Sequence, residues 1–564
     1  MDVSIKRNYF VLLTILFVLI SRTILRNILL LWLFMILLTI ITVLSVILST
    51  NRKQLATNFI LYSIAMSSIL LILKPEIYHL SGTDDYFEYE YARTIIDNGR
   101  WIPAAGVGRA KNYYGYMPAL HIVVATLSYI LDAPTILIVK YAVPFLIRLL
   151  LSIFIYHIVM SIILSEEKYK IALALYPITY LFSYIHCGRL YFATVFVFAL
   201  IYLIFKLKGQ AKSTISRHAL LIILVIATVI SNHLATFVGM VLLLPLVYLS
   251  NRNILKPVLI PYLCVGLAWY LYLSTGVLAH DILYLQKAYN MTISLARGTV
   301  EEVQQHSTPV YPVNYSIPEF MSVAIGSIIS YIVLPLTMLV IITKKMITNR
   351  TFAVNQLLIV YGLLYSVSLL LSVISFWLSH TTLWLTIVGY IVGSAYAIVK
   401  ILSYISNRTK KAVMLVAIIT IMFISNIQMA QSSRIINDYF TRKRLILNDI
   451  PLIDRTALYV ADLIVAHNNK RDIDILTTPH NYYALALKHL DSKPWLQEMS
   501  SGKLDWGDIV RPQCYAMIIY SSIDLGRIDR YSNLLSKEFI TNLIDQGFVL
   551  YSNDHEYIIY VQQR

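Results

Sequence analysis

The sequence has few charged residues. Asp, Glu, Lys and Arg make up 13% of its 564 residues, whereas hydrophobic residues make up 58%. Soluble domains are about one quarter charged, so this balance excludes an ordinary soluble domain and indicates an integral membrane protein. Only three cysteines are present, and Cys187, Cys264 and Cys514 have no metal-like spacing. The sequence also lacks a haem, zinc or P-loop signature, an internal repeat and a low-complexity segment.

Long apolar runs recur along most of the chain. A bilayer-spanning helix needs roughly 20 apolar residues, so these runs predict a polytopic α-helical membrane protein with about 12–13 transmembrane helices. In the first run Arg22 interrupts the apolar residues, so that segment either spans the membrane or lies flat on it. The runs lie at 8–25, 27–49, 56–73, 134–164, 170–185, 190–206, 218–232, 234–250, 256–274, 319–343, 352–376, 381–403 and 411–430.

The net charge of +16 comes mostly from Lys and Arg in short connections between these runs. This distribution orients a membrane protein and argues against a nucleic-acid partner. If the helices alternate in direction, the basic connections share one side, which the positive-inside rule makes cytoplasmic. The outer side then carries the acidic loop 74–133, the loop 275–318 and the residues from 431 onward. The connections on that side are Arg52-Lys53, 166–170, 206–217, 252–256, Lys344-Lys345 and 408–411, and five of the six are clearly basic.

A shorter apolar stretch, Tyr116 to Asp132, lies inside the first outer loop. Pro118 near its start and Pro134 beyond its end predict a helix that lies on the outer surface or dips into it. The alternative is an ordinary transmembrane helix. That alternative would reverse the side of every later connection.

The chain changes character near residue 431. "DIDILTT" and "CYAMIIYSS" predict buried strands, "NYYALALKHL" and "LLSKEFITNLIDQG" predict amphipathic helices, and "FVLYSNDHEYIIYV" predicts a hairpin. Alternating strands and helices indicate a small α/β domain. We therefore expect a transmembrane domain over 1–430 and a C-terminal extracytoplasmic α/β domain over 431–564.

The acidic stretch "SGTDDYFEYEYARTIIDNGRW" follows the third apolar run. Thr83 is a candidate helix N-cap, and acids in the first turn complement the helix dipole. Further along, Glu90 with Arg93 and Arg93 with Asp97 have the spacing of ordinary helix-stabilising pairs. These features are compatible with a purely structural role for the stretch.

A catalytic role for the same stretch rests on Asp84, Asp85 and Glu88. Helical spacing puts Asp84 and Glu88 on one face. The cluster follows a span directly, at the membrane interface, where a lipid-linked substrate presents its phosphate. A carboxylate there can act as a general base or hold a divalent cation, Mg or Mn, against the phosphate.

Other residues of the predicted outer side are candidates for binding the substrate and its leaving phosphate. For each cation the alternative is an interfacial side chain that extends toward lipid headgroups. Arg148 lies nearer the middle of a span, where a charge is costly and often functional. The candidate binding residues are Lys111, Tyr114, His121, Lys140, Arg189, His233 and Glu302.

The stretches "GTDDYFEYEYARTIIDNGRW" and "NYYGYMPALHIVVATLSYIL" together resemble the first outer loop of GT-C superfamily membrane glycosyltransferases. There an acidic pair follows an early transmembrane helix, and a helix with an A-R-x-I-x-x-x-G-x-W pattern comes next. A Tyr-rich stretch and a Pro-led surface helix follow. The resemblance covers residues 80–135, and the rest of the chain agrees in architecture.

The resemblance implies an enzyme that moves a sugar from a polyprenyl-phosphate carrier to a lipid, glycan or protein acceptor on the outer face. It also implies that Asp84 or Asp85 is the catalytic base or the metal-holding acid. Membrane lipids would be its other partners. The isoleucine- and lysine-rich loops of this sequence favour a location in a prokaryotic plasma membrane.

The oligosaccharyltransferase branch of that superfamily is a second possibility. Thr299 and Glu302 in "GTVEE" resemble its Thr-Ile-x-Glu-type motif. Its Trp-Trp-Asp-Tyr-Gly acceptor motif is absent, with only "LDWGD" in the tail, and "YIHCGR" stands where its second acidic motif is expected. We therefore favour transfer of a monosaccharide. A bound metal would follow only from the oligosaccharyltransferase alternative.

Two alternatives without glycosyl transfer also stay open. Ionisable residues in or near the membrane are compatible with a transporter or lipid flippase. Many transporters consist of repeated halves, which this sequence lacks, and its candidate residues cluster in one outer loop. A membrane scaffold would give the acidic loop no catalytic role.

Overall fold

A computed structural model describes most of the apolar helices and the strands near the C-terminus. The predicted span 8–25 and most of the loop 275–318 lie outside the described residues. The described residues are 28–72, 83–102, 114–179, 182, 185–207, 215–250, 255–274, 277, 282, 286, 325–326, 328–349, 353–371, 376–429, 473–477, 492–493, 515–521, 541, 544–545, 548–553 and 557–562.

The chain up to Met429 is helical over most of its described length. Three π-helical turns, at Ile138–Ala142, Trp269–Leu273 and Ile329–Val333, lie within α5, after α10 and before α11. Such turns are often found near functional sites. The helices are α1 Ile28–Ile47, α2 Arg52–Ile72, α3 Thr83–Asn98, α4 Pro118–Leu131, α5 Thr135–Ile162, α6 Glu166–Leu175, α7 Arg189–Lys206, α8 Ile215–Ser231, α9 His233–Ser250, α10 Leu255–Ala268, α11 Leu334–Asn349, α12 Val354–Leu371, α13 Phe376–Leu402 and α14 Arg408–Met429.

Six helical segments in the described part of the chain are long and apolar enough to cross a membrane. Each has at least 18 residues, a rise of about 27 Å, which is close to the roughly 30 Å hydrocarbon core. They confirm the polytopic helical fold class, and α1, α2 and α14 match three further predicted spans in position. The six segments are Thr135–Ile162, Arg189–Lys206, His233–Ser250, Lys256–Leu273, Ile329–Thr348 and Thr381–Leu402.

The predicted span 170–185 is wrong as a continuous helix. Helix α6 ends at Leu175, and a single 3-10 turn, Tyr176–Ile178, follows it. The backbone is extended at Thr179. Pro177 explains the break, because proline has no backbone N–H and restricts the residue before it. The apolar run is therefore a short helix that ends before Thr179, and Phe182 beyond it is again helical.

Helix α4 is too short to span a bilayer. Its 14 residues rise about 21 Å, less than the roughly 30 Å of the hydrocarbon core. The helix is followed by Asp132, which has a positive φ of 46°. Its length agrees with the predicted surface helix rather than with a transmembrane one.

Two hydrogen bonds also test which segments of the chain lie on the same side of the membrane. The Tyr156 hydroxyl, near the end of α5, donates to the Arg52 carbonyl at 3.2 Å, and Trp269 Nε1 donates to the Tyr116 carbonyl at 3.1 Å. Both bonds join segments that the predicted topology puts on the same side. A transmembrane α4 would separate both pairs by the thickness of the membrane. The grouping of connections is thus supported, and which side is cytoplasmic stays a prediction.

The chain divides into two compact units. The first comprises Met1–Lys74, Tyr116–Leu120 and Tyr141–Arg442, and the second Pro75–Gly115, His121–Lys140 and Lys443–Arg564. The first contains α1, α2 and the helices from α6 to α14. The second contains α3 and a sheet of five strands.

The sheet has the strand order β2-β1-β3-β5-β4. Strand β1 runs parallel to β2 and β3, whereas β5 is antiparallel to both β3 and β4. The predicted strands and hairpin are confirmed, and β2 was not predicted. The predicted helices lie outside the described residues, apart from helical Thr541, Ile544 and Asp545. The strands are β1 Ile473–Thr477, β2 Ser492–Lys493, β3 Tyr515–Ser521, β4 Phe548–Asn553 and β5 Tyr557–Gln562.

Helices α12 and α13 pack at backbone contact through glycines. A Cβ added to Gly389 of α13 would overlap the Leu358 carbonyl and the Tyr361 Cβ of α12. A Cβ at Gly362 would lie 2.8 Å from the Gly389 carbonyl oxygen, and one at Gly393 would lie 2.8 Å from Met338 Sδ. Gly389 and Gly393 form a small-xxx-small pair, which is typical of close helix packing in membranes.

We expect Gly389→Ala to lower the melting temperature of the detergent-purified protein, because the new methyl group meets a backbone that cannot move aside. Overpacking of this kind costs about 1–3 kcal/mol or more. The matched control is Gly266→Ala in α10, where the added Cβ has its nearest neighbour at 3.8 Å. Helix propensity favours alanine there by about 1 kcal/mol. Equal melting temperatures for the two variants would contradict the prediction.

Candidate functional site

The acidic stretch folds as predicted into helix α3, which begins at Thr83. The helix ends at Asn98, and Gly99 follows with a left-handed φ of 64°, the conformation that commonly terminates a helix. Asp84 lies in the first turn, but its side chain lies outside the described residues. The side chain of Asp85 is buried, at 1% exposure.

Glu88 and His121 form a buried pair within the second unit. Glu88 Oε2 lies 2.6 Å from His121 Nδ1, and neither side chain is exposed. The ring of Tyr91 stacks on the imidazole, with centroids 4.9 Å apart and an angle of 22° between the planes. The sequence predicted Glu88 and His121 as separate site residues and did not predict that they meet.

The contact defines what the pair can do chemically. The close contact between the carboxylate and Nδ1 restricts the orientation of the imidazole ring. A histidine beside a carboxylate is an arrangement used in general acid–base and nucleophilic catalysis. Asp85, three residues before Glu88, lies on the same side of the helix.

Glu90 is a third buried carboxylate on this helix, at 3% exposure. The sequence predicted it as a surface partner of Arg93. The Arg93–Asp97 pair is present, with Nη2 and Oδ1 3.8 Å apart and both side chains at least one third exposed. Glu90 lies between Tyr89 and Tyr91 in the sequence, and these aromatic neighbours are the signal that could have predicted its burial.

The other predicted binding residues are divided between the two units. Lys140 belongs to the second unit and is buried in the π-helical turn of α5. Arg189 and His233 belong to the first unit, where each is the buried first residue of a helix. Tyr114 begins a 3-10 turn, and its side chain lies outside the described residues. Lys111, Thr299 and Glu302 lie outside the described residues.

Arg148 contacts the backbone beyond α6 with its buried guanidinium. Its Nε donates to the Phe182 carbonyl at 3.0 Å and its Nη2 to the Ile185 carbonyl at 2.7 Å. The guanidinium also lies 5.7 Å from the centre of the Phe182 ring. The sequence suggested a functional charge or an interfacial cation, and the structure shows a buried donor to backbone carbonyls instead.

An aromatic cluster fixes the chain just before Arg189. The His186 ring meets the Tyr191 ring edge-on at 4.5 Å, and Tyr191 lies 4.5 Å from Trp384. A Cβ at Gly188 would come within 3.0 Å of the Tyr191 ring, so glycine is needed there. Sequence reasoning missed this cluster, because Trp384 is distant in the chain.

Comparison with known proteins identifies the fold. No protein-family model matches the chain, and no curated protein matches it in sequence. The crystal structure of the Archaeoglobus fulgidus oligosaccharyltransferase complex with Zn and sulfate has a TM-score of 0.54 at 12% identity, covering 89% of this chain and 72% of that one. AglB from Archaeoglobus fulgidus, in complex with an inhibitory peptide and a dolichol-phosphate, has a TM-score of 0.52 at 12% identity, covering 90% and 74%. This chain has the GT-C fold.

A further solved structure has a lower TM-score. ArnT from Cupriavidus metallidurans, bound to undecaprenyl phosphate, has a TM-score of 0.46 at 11% identity, covering 90% of this chain and 98% of that one. At such identities a likeness concerns the GT-C fold alone, and function must be argued from residues.

A divalent cation at Asp84 or Asp85 is one role predicted from the sequence. Among the described residues no three His, Cys, Asp or Glu side chains come together as a ligand set. Magnesium needs near-octahedral oxygen coordination, which Glu88 and His121 do not supply. The side chain of Asp84 lies outside the described residues, so a cation at Asp84 or Asp85 stays a prediction.

We expect Glu88→Ala to destabilise the protein, because it leaves a buried imidazole without its carboxylate. Removing one partner of a buried pair costs about 3–5 kcal/mol. The control is Asp97→Ala on the same helix, which removes an exposed pair and should change stability by less than about 1 kcal/mol. Thermal unfolding of both variants in detergent checks this, and a Glu88→Ala variant as stable as Asp97→Ala would contradict the buried pair.

Proposed function

We propose that this protein is a membrane glycosyltransferase that moves a single sugar from a polyprenyl-phosphate carrier to an acceptor on the extracytoplasmic face. The observation that carries the proposal is the burial of Asp85 and Glu88 at the start of α3 in a chain with the GT-C fold. Buried carboxylates are costly, and they are concentrated at functional sites.

In the proposed reaction the acceptor hydroxyl attacks the anomeric carbon of the donor sugar. The new C–O bond forms as the bond to the carrier phosphate breaks, with inversion, through an oxocarbenium-like state. Asp84 or Asp85 accepts the hydroxyl proton as general base. Both aspartates lie in the first turn of α3, directly after Thr83.

The departing phosphate takes the electron pair of the broken bond, and its growing charge needs cationic donors. Arg189, Lys140, His233 and Lys111 are the candidates. Arg189 and Lys140 are buried, and a buried cation interacts more strongly with an anion than an exposed one does. Arg148 does not contact the phosphate in this proposal. It positions the backbone that leads to Arg189 by donating hydrogen bonds to the Phe182 and Ile185 carbonyls.

The fold likeness supports a phosphorylated polyprenol as the carrier. The AglB structure is a complex with a dolichol-phosphate. The monosaccharide is favoured over an oligosaccharide because the Trp-Trp-Asp-Tyr-Gly motif is absent from the sequence. Oligosaccharyl transfer to protein is the second candidate, and the likeness to AglB, which also binds an inhibitory peptide, favours it.

We expect the Asp84→Asn and Asp85→Asn variants to identify the base. The variant that lacks the base should lose about 10²–10⁴-fold in transfer rate, since an amide cannot take the proton. Transfer from a radiolabelled polyprenyl-phosphate sugar in membranes measures the rate. Asp97→Asn, on the exposed side of the same helix, is the control and should retain the parent rate.

Two outcomes would contradict the catalytic assignment. One is parent-level transfer in the Asp84→Asn/Asp85→Asn double variant. The other is the absence of any transfer by the parent together with measurable substrate flux across the membrane, which would indicate a transporter.

The acceptor distinguishes the two transferase candidates. A monosaccharide transferase should label lipid or glycan and leave an Asn-X-Thr peptide unlabelled when both are offered with polyprenyl-phosphate sugar. Labelling of the peptide from a lipid-linked oligosaccharide would favour the second candidate. Mass spectrometry distinguishes the labelled lipid or glycan from the labelled peptide.

A further inference from the structure

Two lysines from different connections meet at one tyrosine ring. Lys168 Nζ of α6 lies 4.1 Å from the centre of the Tyr396 ring of α13, and Lys345 Nζ of α11 lies 5.4 Å from it. All three side chains are partly exposed. We name this set the lysine–tyrosine cluster. It belongs to the first unit and is separate from the acidic helix.

The cluster brings two positively charged groups to one tyrosine ring. Among the described residues, neither lysine has a carboxylate within 4.0 Å, and Glu166 pairs with Lys170 at 2.6 Å. Burial lowers the pKa of Lys168, and the charge of Lys345 lowers it further, whereas Glu167 acts in the opposite direction. Two ammonium groups held this close repel each other, so a bound anion would stabilise them both.

The cluster also lies near the ends of two segments that are long and apolar enough to cross a membrane. Lys345 is three residues from the end of the spanning segment Ile329–Thr348, and Tyr396 is six residues from the end of Thr381–Leu402. A helix rises about 1.5 Å per residue, so both residues are within about 10 Å of a helix end. Headgroup phosphates are found at this depth, and anionic lipids attract clustered basic residues.

We propose that the lysine–tyrosine cluster binds the phosphate of an anionic membrane lipid. The phosphate oxygens accept hydrogen bonds from the Lys168 and Lys345 ammonium groups, and Tyr396 holds both lysines by cation–π contact. The predicted topology puts this site in the cytoplasmic leaflet. The proposal does not depend on glycosyl transfer.

Native mass spectrometry of the full chain, purified with phosphatidylglycerol, tests the proposal. Removing each lysine should weaken phosphatidylglycerol binding about fivefold, so the Lys168→Gln/Lys345→Gln variant should retain little of it. The control Lys410→Gln/Lys411→Gln removes the same charge from another predicted cytoplasmic connection and should bind like the parent. Tyr396→Phe should also bind like the parent, and Tyr396→Leu should bind more weakly.

The outcomes distinguish a lipid site from a site for free phosphate and from the absence of any site. The proposal would be overturned if the Lys168→Gln/Lys345→Gln variant and the parent retained equal amounts of phosphatidylglycerol. Thermal stabilisation by inorganic phosphate as large as that by phosphatidylglycerol would overturn the lipid as the source of the phosphate. If the Gln pair fails to fold, the two single variants and the charge-preserving Lys168→Arg/Lys345→Arg variant give the ranking, with the Arg pair expected to bind.

Discussion

Hydrocarbon offers no hydrogen bonds, so polar groups inside a membrane protein must find their partners within the chain. This constraint governs the polar contacts of the structure. Helix α6 ends at Leu175, shortly before Pro177, and Arg148 donates to the carbonyls of Phe182 and Ile185 beyond it. In the second unit a buried histidine lies against a buried carboxylate. A sequence with few charges can be stable in a membrane when those charges are placed in this way.

The local pattern of the sequence predicted the helices well, because a spanning helix needs only an apolar composition and a sufficient length. It failed at 170–185, where one proline outweighs a favourable composition. The candidate site was predicted as a set of residue types rather than as contacts. The start of α3 follows from Thr83 and the acids after it, but the meeting of Glu88 with His121 depends on how two helices pack. The contact of Gly389 with Leu358 likewise depends on tertiary structure and has no local signal.

The two faces of the predicted topology differ in chemistry. The buried acids of α3 belong to the loop predicted to face outward, and the lysine–tyrosine cluster joins two connections predicted to face inward. Carboxylates are suited to proton transfer from a hydroxyl, whereas clustered lysines are suited to phosphate. The fold is shared with proteins of about 12% identity, so these residues rather than the architecture determine what this chain does.

The glycine contact between α12 and α13 has a mechanical consequence. Where backbones touch, a slide of one residue, about 1.5 Å, would push a side chain into a carbonyl group. Rotation about either helix axis would do the same, so the two helices behave as a single rigid rod. Any change of shape during a working cycle must then occur at other joints. Among the described residues of the first unit, the π-helical turns beside α10 and α11 and the 3-10 turn after α6 are three places where the backbone already departs from a regular α-helix.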